Sequence, residues 1–243
     1  MPLERAEQAR ALMLELFPHG FEERDAPDGL ELAAYTDSAG EEKLWAAFGR
    51  VTSKALASGW EDRWREFHRP VRIGPLWIGP PWERPDRELA VTIDPGRAFG
   101  TGGHPTTRLC LGLLLELEPT SLLDAGCGSG ILAVAAAKLG FDPVVALDQD
   151  PAAIDAARRN AEVNGVALDL RIADALSSEL PDTAVTVANL TGELVRELAP
   201  RLASGVLVAS GYLEFDQVEL DGFVRAKRRR AEGWAADLFR REE

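Results

Sequence analysis

The chain has 243 residues, 46% of them hydrophobic and 28% charged, with a formal net charge of −13. This is room for one large domain or two smaller ones; no apolar run nears the roughly 18 residues of a membrane span, and the acid-bearing start reads as no signal peptide. The acidity disfavours a broad phosphate-binding face and suits a basic protein partner, while 2 cysteines and 3 histidines offer few metal ligands and fit a reducing cytoplasm.

Residues 1–57 read as a small α+β unit. Ala9, Leu12, Met13 and Leu16 recur at helical spacing over 3–17, and Pro18 and Gly20 stop the helix. A strand is expected over 29–35, a helix over 39–48 and a strand over 51–57. With no glycine loop and no catalytic cluster, this unit suits recognition rather than chemistry. Residues 58–70 read as a linker helix ending at Pro70. Its Trp60, Trp64 and Phe67 share one face, for packing onto a domain or, second, for touching a substrate.

Residues 71–243 form the remaining domain. Strands are expected over 71–78 and 88–93, with Pro80, Pro81 and Pro85 marking the turn between them. Helix and strand then alternate: helix 105–117, strand 121–125, helix 130–139, strand 143–148, helix 151–163, strands 168–172 and 184–188, helix 192–201, strand 205–210. The pattern predicts an α/β fold, a doubly wound and mostly parallel sheet. Antiparallel strands near 224–229 and 234–239 are expected to close it. Arg225, Lys227, Arg228, Arg229 and Arg230 fall in the first of these, where they would alternate faces. They read as a solvated terminal strand, with RNA contact a lesser alternative.

The stretch Ser-Leu-Leu-Asp-Ala-Gly-Cys-Gly-Ser-Gly at 121–130 carries the most information. An apolar run ends in Asp124, glycines follow at 126, 128 and 130, and a helix begins at Ile131. The next apolar run ends in Asp148-Gln149-Asp150. This is a βαβ nucleoside-binding unit. Gly126, Gly128 and Gly130 let the backbone turn tightly and approach a ligand. The helix start carries unpaired N–H groups. Asp148 and Asp150, about 20 residues on, can accept ribose hydroxyls. Cys127 reads as a small filler. Two cofactors fit. Counted from Gly128, Gly130 and Ala133 satisfy the dinucleotide pattern of an NAD(P)-dependent oxidoreductase. The G-x-G-x-G reading preceded by Asp124 resembles the first motif of class I methyltransferases, which hold S-adenosylmethionine.

Residues 99–107 read Phe-Gly-Thr-Gly-Gly-His-Pro-Thr-Thr. Pro105 suits a first helical position with His104 as cap, and Thr106 and Thr107 then fall in the first turn. This segment, with the glycine motif, Leu-Asp-Gln-Asp-Pro (147–151), Val-Ala-Asn-Leu (187–190), Trp-Arg-Glu-Phe-His-Arg-Pro (64–70) and residues 74–83, resembles the PrmA family. Its members methylate the eleventh protein of the large ribosomal subunit. The resemblance covers about residues 20–192; after Gly211 it is confined to Glu232-Gly233-Trp234. It implies a recognition domain, a linker helix and a class I methyltransferase domain acting on lysine side-chain or N-terminal amines. It also implies cofactor contacts at Thr107, Gly128, Asp150 and Asn189.

Asn189 follows a strand and should sit at the carboxyl edge of the sheet. Its side-chain oxygen and nearby backbone carbonyls, that of Leu190 among them, can accept amine hydrogens and aim the lone pair. Alternatively, Asn189 caps the helix at 192–201. Phe99 either walls a substrate channel or packs under its loop. His104 either takes a proton or is structural. Asn189-Leu190-Thr191-Gly192 lacks the proline pair and aromatic that stack a planar group, which favours an aliphatic amine. The expectations are a cytoplasmic monomer with a ribosomal protein partner, no metal, and no nucleic acid or membrane partner. A non-catalytic, ribosome-associated binding protein is a further reading.

Overall fold

A computed structural model describes residues 9, 12, 13, 16, 22–26, 29–34, 36, 38–49, 51–53, 69–85, 89–94 and 103–242. The chain divides into two compact units, Met1–Arg63 and Trp64–Glu243. In the first, Ala9, Leu12, Met13 and Leu16 are helical, as their spacing predicts, with Ala9 and Met13 buried. Strands β1 (Glu22–Ala26) and β2 (Gly29–Ala33) pair antiparallel, and α1 (Ser38–Phe48) follows. Nothing in Glu-Glu-Arg-Asp-Ala alternates, so β1 exists through its ladder with β2 rather than through its own pattern. Residues 51–53 are irregular, not the start of a strand. Residues 54–68, with most of the linker helix expected over 58–70, and Phe99 lie outside the described residues, while Arg69 and Pro70 at the end of that span are irregular rather than helical.

The second unit opens with a three-stranded sheet of β3 (Val71–Ile73), β4 (Leu76–Gly79) and β5 (Ala90–Thr92). The run expected as one strand over 71–78 is a hairpin, because Gly74-Pro75 breaks the ladder and Pro75 has no N–H to donate.

The helices are α2 (Pro105–Leu114), α3 (Ile131–Lys138), α4 (Pro151–Asn164) and α5 (Gly192–Leu198), the last extended by a 3₁₀ turn. The strands are β6 (Leu122–Ala125), β7 (Val144–Asp148), β8 (Asp169–Ile172), β9 (Val185–Asn189), β10 (Val206–Leu213), β11 (Phe223–Ala231) and β12 (Trp234–Arg241). They form one sheet in the order β11-β12-β10-β9-β6-β7-β8. The ladders among β6 to β10 are parallel, and β12 runs antiparallel to both β10 and β11. Strands β6, β7 and β9 are near-continuous apolar runs because both faces are covered. Leu122 and Val187 join the core under α2, α3 and α4, while Leu123 and Ala188 join the core on the α5 side.

From β6 the chain proceeds outward through β7 and β8, then returns to β9 on the other side of β6. The carboxyl ends of β6 and β9 therefore flank a topological switch point, where open α/β sheets bind ligands.

The basic stretch on β11 is less solvated than expected. Lys227 Nζ lies 2.6 Å from Glu116 Oε2, and Arg229 pairs with the same carboxylate. These hydrogen bonds hold the Glu116 carboxyl below its ordinary range. Arg228 is nearly buried against Asp237, and Arg225 lies 4.0 Å from that carboxylate. Alternation separates Arg228 from Lys227 and Arg229, and the register shift between Arg225 and Lys227 brings Arg225 to the side of Arg228.

Candidate functional site

The glycine turn is built by backbone hydrogen bonds at the end of β6. Gly126 and Cys127 both donate to the Leu147 carbonyl at 2.9 and 3.0 Å, and Gly130 donates to Cys127 at 2.8 Å. Gly126 and Gly130 have φ of 75° and 76°, a region that favours residues without a Cβ. Space forbids one as well. A Cβ on Gly130 would stand 2.7 Å from Ala157 Cβ and 3.0 Å from its Cα; one on Gly126 would meet Leu190 Cδ2 at 2.8 Å. The turn is thus pressed between α4 and the segment after β9.

Two carboxylates occupy the donors of this turn. Asp124 is buried beneath α3, and its Oδ2 accepts from Ala133 N, in the first helical turn, at 3.0 Å. Its Oδ1 has no hydrogen-bond partner. Burial pushes the Asp124 carboxyl up to about 7, and neighbouring Asp148 adds to the rise. Asp148 Oδ2 accepts from Gly128 N and its Oδ1 from Asp150 N, both at 3.0 Å. Asp150 caps α4 by accepting from Ala152 N at 2.8 Å. Carboxylate oxygens have a second acceptor position, so both retain capacity toward a ligand hydroxyl. Cys127 is buried at the turn, and burial pushes its thiol well above the ordinary range, which suits a filler.

Asn189 is the last residue of β9 and is half-buried. It does not cap α5: the cap is Thr191, whose side chain accepts from Leu194 N at 3.5 Å. Leu190 is held between two glycines, its side chain against Gly126 and its peptide against Gly211. Gly211 sits at the bulge of β10, where the register with β12 shifts between Ser210 and Tyr212. Sequence reasoning did not single it out.

His104 caps α2, its Nδ1 lying 2.7 Å from Thr106 Oγ1 and accepting from Thr106 N. Its ring meets Trp234 edge-on at 5.0 Å between centroids. Arg108 beside it pairs with Glu232 at 2.6 Å. Burial holds the imidazole below its ordinary range, and Arg108 lowers it further. These contacts give His104 a structural role at the helix start. Thr106 and Thr107 are buried in the first turn of α2.

Two further residues escaped the sequence reading. Asn160 Nδ2 donates to Ser129 O at 2.8 Å, and its Oδ1 accepts from Asp94 N at 3.2 Å. Asn164 brackets Thr92, accepting from its N at 2.8 Å and donating to its O at 2.7 Å. The buried face of α4 thereby ties the glycine turn to the end of β5. The available signal was two amides four residues apart on an apolar stripe.

The arrangement discriminates between cofactors. A dinucleotide sets its pyrophosphate on the free N–H groups of the turn and helix start. Here Gly128 N and Ala133 N already serve carboxylates, and two acids beside a pyrophosphate would repel it. A cationic ligand meets the opposite field. Asp148 and Asp150 at this edge, with acceptor capacity to spare, fit a nucleoside bearing a positive charge. Among the described residues, no cluster of three or more metal-ligating side chains occurs, and no helix is long and apolar enough to cross a membrane.

The model of the family described as ribosomal protein L11 methyltransferase (PrmA) matches residues 23–240. A ribosomal protein L11 methyltransferase of Citrobacter koseri is 44% identical over 183 residues, covering 70% of this chain and 62% of the relative. One of Vibrio campbellii is 46% identical over 168 residues, covering 64% of this chain and 56% of the relative. The chain therefore spans little more than half the length of these curated relatives. A solved structure of a ribosomal protein L11 methylase from Lactobacillus delbrueckii subsp. bulgaricus superposes with a TM-score of 0.65 at 29% identity, covering 72% of this chain and all of that one. With a match running through the glycine turn, the His104 cap and the Asn189 strand end, the chain belongs to the ribosomal protein L11 methyltransferase (PrmA) family, on a class I methyltransferase fold.

Proposed function

We propose that this chain is an S-adenosylmethionine-dependent protein N-methyltransferase that acts on lysine side-chain or N-terminal amines of ribosomal protein L11. The observation that carries the reading is the pair of carboxylates at the switch point. Asp124 and Asp148 engage the donors a pyrophosphate would need and favour a cationic ligand instead. When bound, S-adenosylmethionine supplies an electrophilic methyl group. Thr107, Gly126, Gly128, Gly130, Asp148 and Asp150 would hold it, with Asp124 beneath the turn.

Transfer needs a neutral amine. Neutralising a lysine of pKa about 10.4 at pH 7 costs about 4.6 kcal/mol, and a terminal amine near 8 only about 1 kcal/mol. Holding acceptor and donor in line contributes about 7–11 kcal/mol. Positioning therefore exceeds deprotonation, and no strong base is required. That suits a site whose histidine is a helix cap. Asn189, its amide and the Leu190 carbonyl are the groups we assign to aiming the amine. Phe99 is a candidate wall of the same channel. Residues 1–57 are assigned to recognising the ribosomal protein and 58–70 to linking it to the catalytic domain, in a cytoplasmic monomer.

Intact-mass spectrometry of ribosomal protein L11, incubated with the chain and S-adenosylmethionine and then fragmented, tests this reading. Mass increments of whole methyl groups on lysine or terminal amines are expected. An unmodified protein that nonetheless binds the chain would support the non-catalytic reading instead. Calorimetric binding of NADH without S-adenosylmethionine binding would support an oxidoreductase.

A further inference from the structure

The segment after β10 presents an apolar side chain to solvent at the edge where the site lies. Ser210 is level with Asn189 in the parallel ladder of β9 and β10. Strand β10 runs on to Leu213, three residues and roughly 10 Å further. The loop that follows therefore stands beyond the carboxyl edge occupied by Asn189 and Leu190. Phe215 in that loop is 71% exposed, the most exposed large apolar side chain among the described residues, with Leu213 also exposed beside it in sequence.

Fraying does not explain this exposure. Leu213 N donates to Asp216 Oδ2 at 2.9 Å, and Asp216 N returns a bond to Leu213 O at 3.1 Å. Glu214 N donates to Gly233 O at 2.8 Å. Arg228 Nη2 and Arg196 Nη2 bond the carbonyls of Asp216 and Gln217 at 2.7 and 2.9 Å. Val218 and Leu220 of the same loop are buried in the core. A loop that buries two apolar residues and is tied at both sides still holds its phenylalanine out, and an apolar side chain held in water calls for a partner.

The surrounding charge indicates which partner. Glu214 beside Phe215 and Glu193 at the start of α5 are exposed at this edge. Among the described residues neither has an ion-pair partner. The two arginines packed against the loop point their guanidinium groups into its carbonyls. We propose that Leu213 and Phe215, flanked by Glu214 and Glu193, dock a basic segment of the substrate protein that carries an apolar residue among its lysines, delivering one amine to the Asn189 edge. As a statement about substrate, this rests on the methyl-transfer reading; as a statement about binding, it does not.

A fluorescein-labelled peptide alternating lysine and leucine is the probe, read by fluorescence anisotropy on the full chain. Phe215→Ser is expected to weaken binding about tenfold, with S-adenosylmethionine affinity unchanged by calorimetry. The double change Glu214→Lys, Glu193→Lys should weaken it further and flatten its salt dependence. With ribosomal protein L11 as acceptor, Phe215→Ser should raise KM and leave kcat alone. Equal peptide affinity in wild type and Phe215→Ser overturns the proposal. So does equal binding of a glutamate–leucine peptide, or Phe215-dependent self-association in sedimentation. If wild type methylates nothing yet binds the peptide through Phe215, the docking surface stands and the enzymatic reading falls.

Discussion

Gly211 faces the peptide of Leu190 so closely that a Cβ on it would stand 2.2 Å from the Leu190 carbonyl oxygen. Its φ of 106° is one that other residues rarely adopt. The bulge therefore fixes where the chain leaves β9, and with it the groups assigned to the amine. Gly211→Ala should cost more than about 2 kcal/mol of stability, from strain plus clash. Methyl transfer should fall with it. Chemical denaturation and a turnover assay below the unfolding transition measure the two losses separately.

The glycines of the turn should not respond alike. A methyl on Gly130 meets Ala157 at its Cβ and backbone, which α4 holds in place, whereas one on Gly126 meets only the end of the Leu190 side chain. Gly130→Ala should cost about 2–3 kcal/mol and Gly126→Ala about 1 kcal/mol, mostly the left-handed conformation. Urea midpoints of the two variants decide the order; a larger loss in Gly126→Ala would refute it.

Asp124 titrates at about 7 when folded, against an ordinary 3.8. The folded chain thus holds this proton more tightly than the unfolded chain. Its contribution to stability is full below pH about 4 and is lost as pH rises through about 7. Asp124→Asn should remove that slope, seen by comparing urea midpoints of the two proteins across this range. S-adenosylmethionine should bind wild type more tightly above pH 7, where the carboxylate is charged, and calorimetry on Asp124→Asn should show no such trend.

Asn189→Ala should reduce methyl transfer at least about hundredfold, since aiming the amine is worth several kcal/mol. The amide does not cap α5, so stability should change little. Full turnover with normal cofactor binding would remove Asn189 from the reaction.

The two ion-pair sites of β11 offer a contrast. Glu116 is half-exposed and Asp237 is buried against Arg228, with the Tyr212 hydroxyl donating to Asp237 at 3.0 Å. Glu116→Gln should cost less than about 1 kcal/mol. Asp237→Ala should cost about 3 kcal/mol or more, because it strands a buried guanidinium. Thermal denaturation of both variants compares them directly.

Periodicity and punctuation carried most of the second unit. Strands covered on both faces must be apolar throughout, and a helix following a glycine turn starts where its Cβ-less residues end, so β6, α3 and β7 were legible. Strand β1 was not, because Glu22–Ala26 carries no alternation and becomes a strand only by pairing with β2. The hairpin at β3 and β4 was misread because a turn of only two residues lay inside an apolar run.

The site divides the same way. Gly126, Gly128, Gly130 and the cap at His104 could be read from the chain because local backbone geometry demands those residue types wherever they occur. The sequence by itself thus determined that a nucleoside-binding turn exists and which family carries it. Only the tertiary structure placed the acids against the turn. The engagement of Ala133 N by Asp124, of Gly128 N by Asp148 and of Ser129 O by Asn160 joins residues between 9 and 31 positions apart. The contact of Gly211 with Leu190 likewise appears only once β9 and β10 are paired. A hydrogen bond or a steric clash is a property of distance in space, and the order of residues does not contain it until the chain has closed.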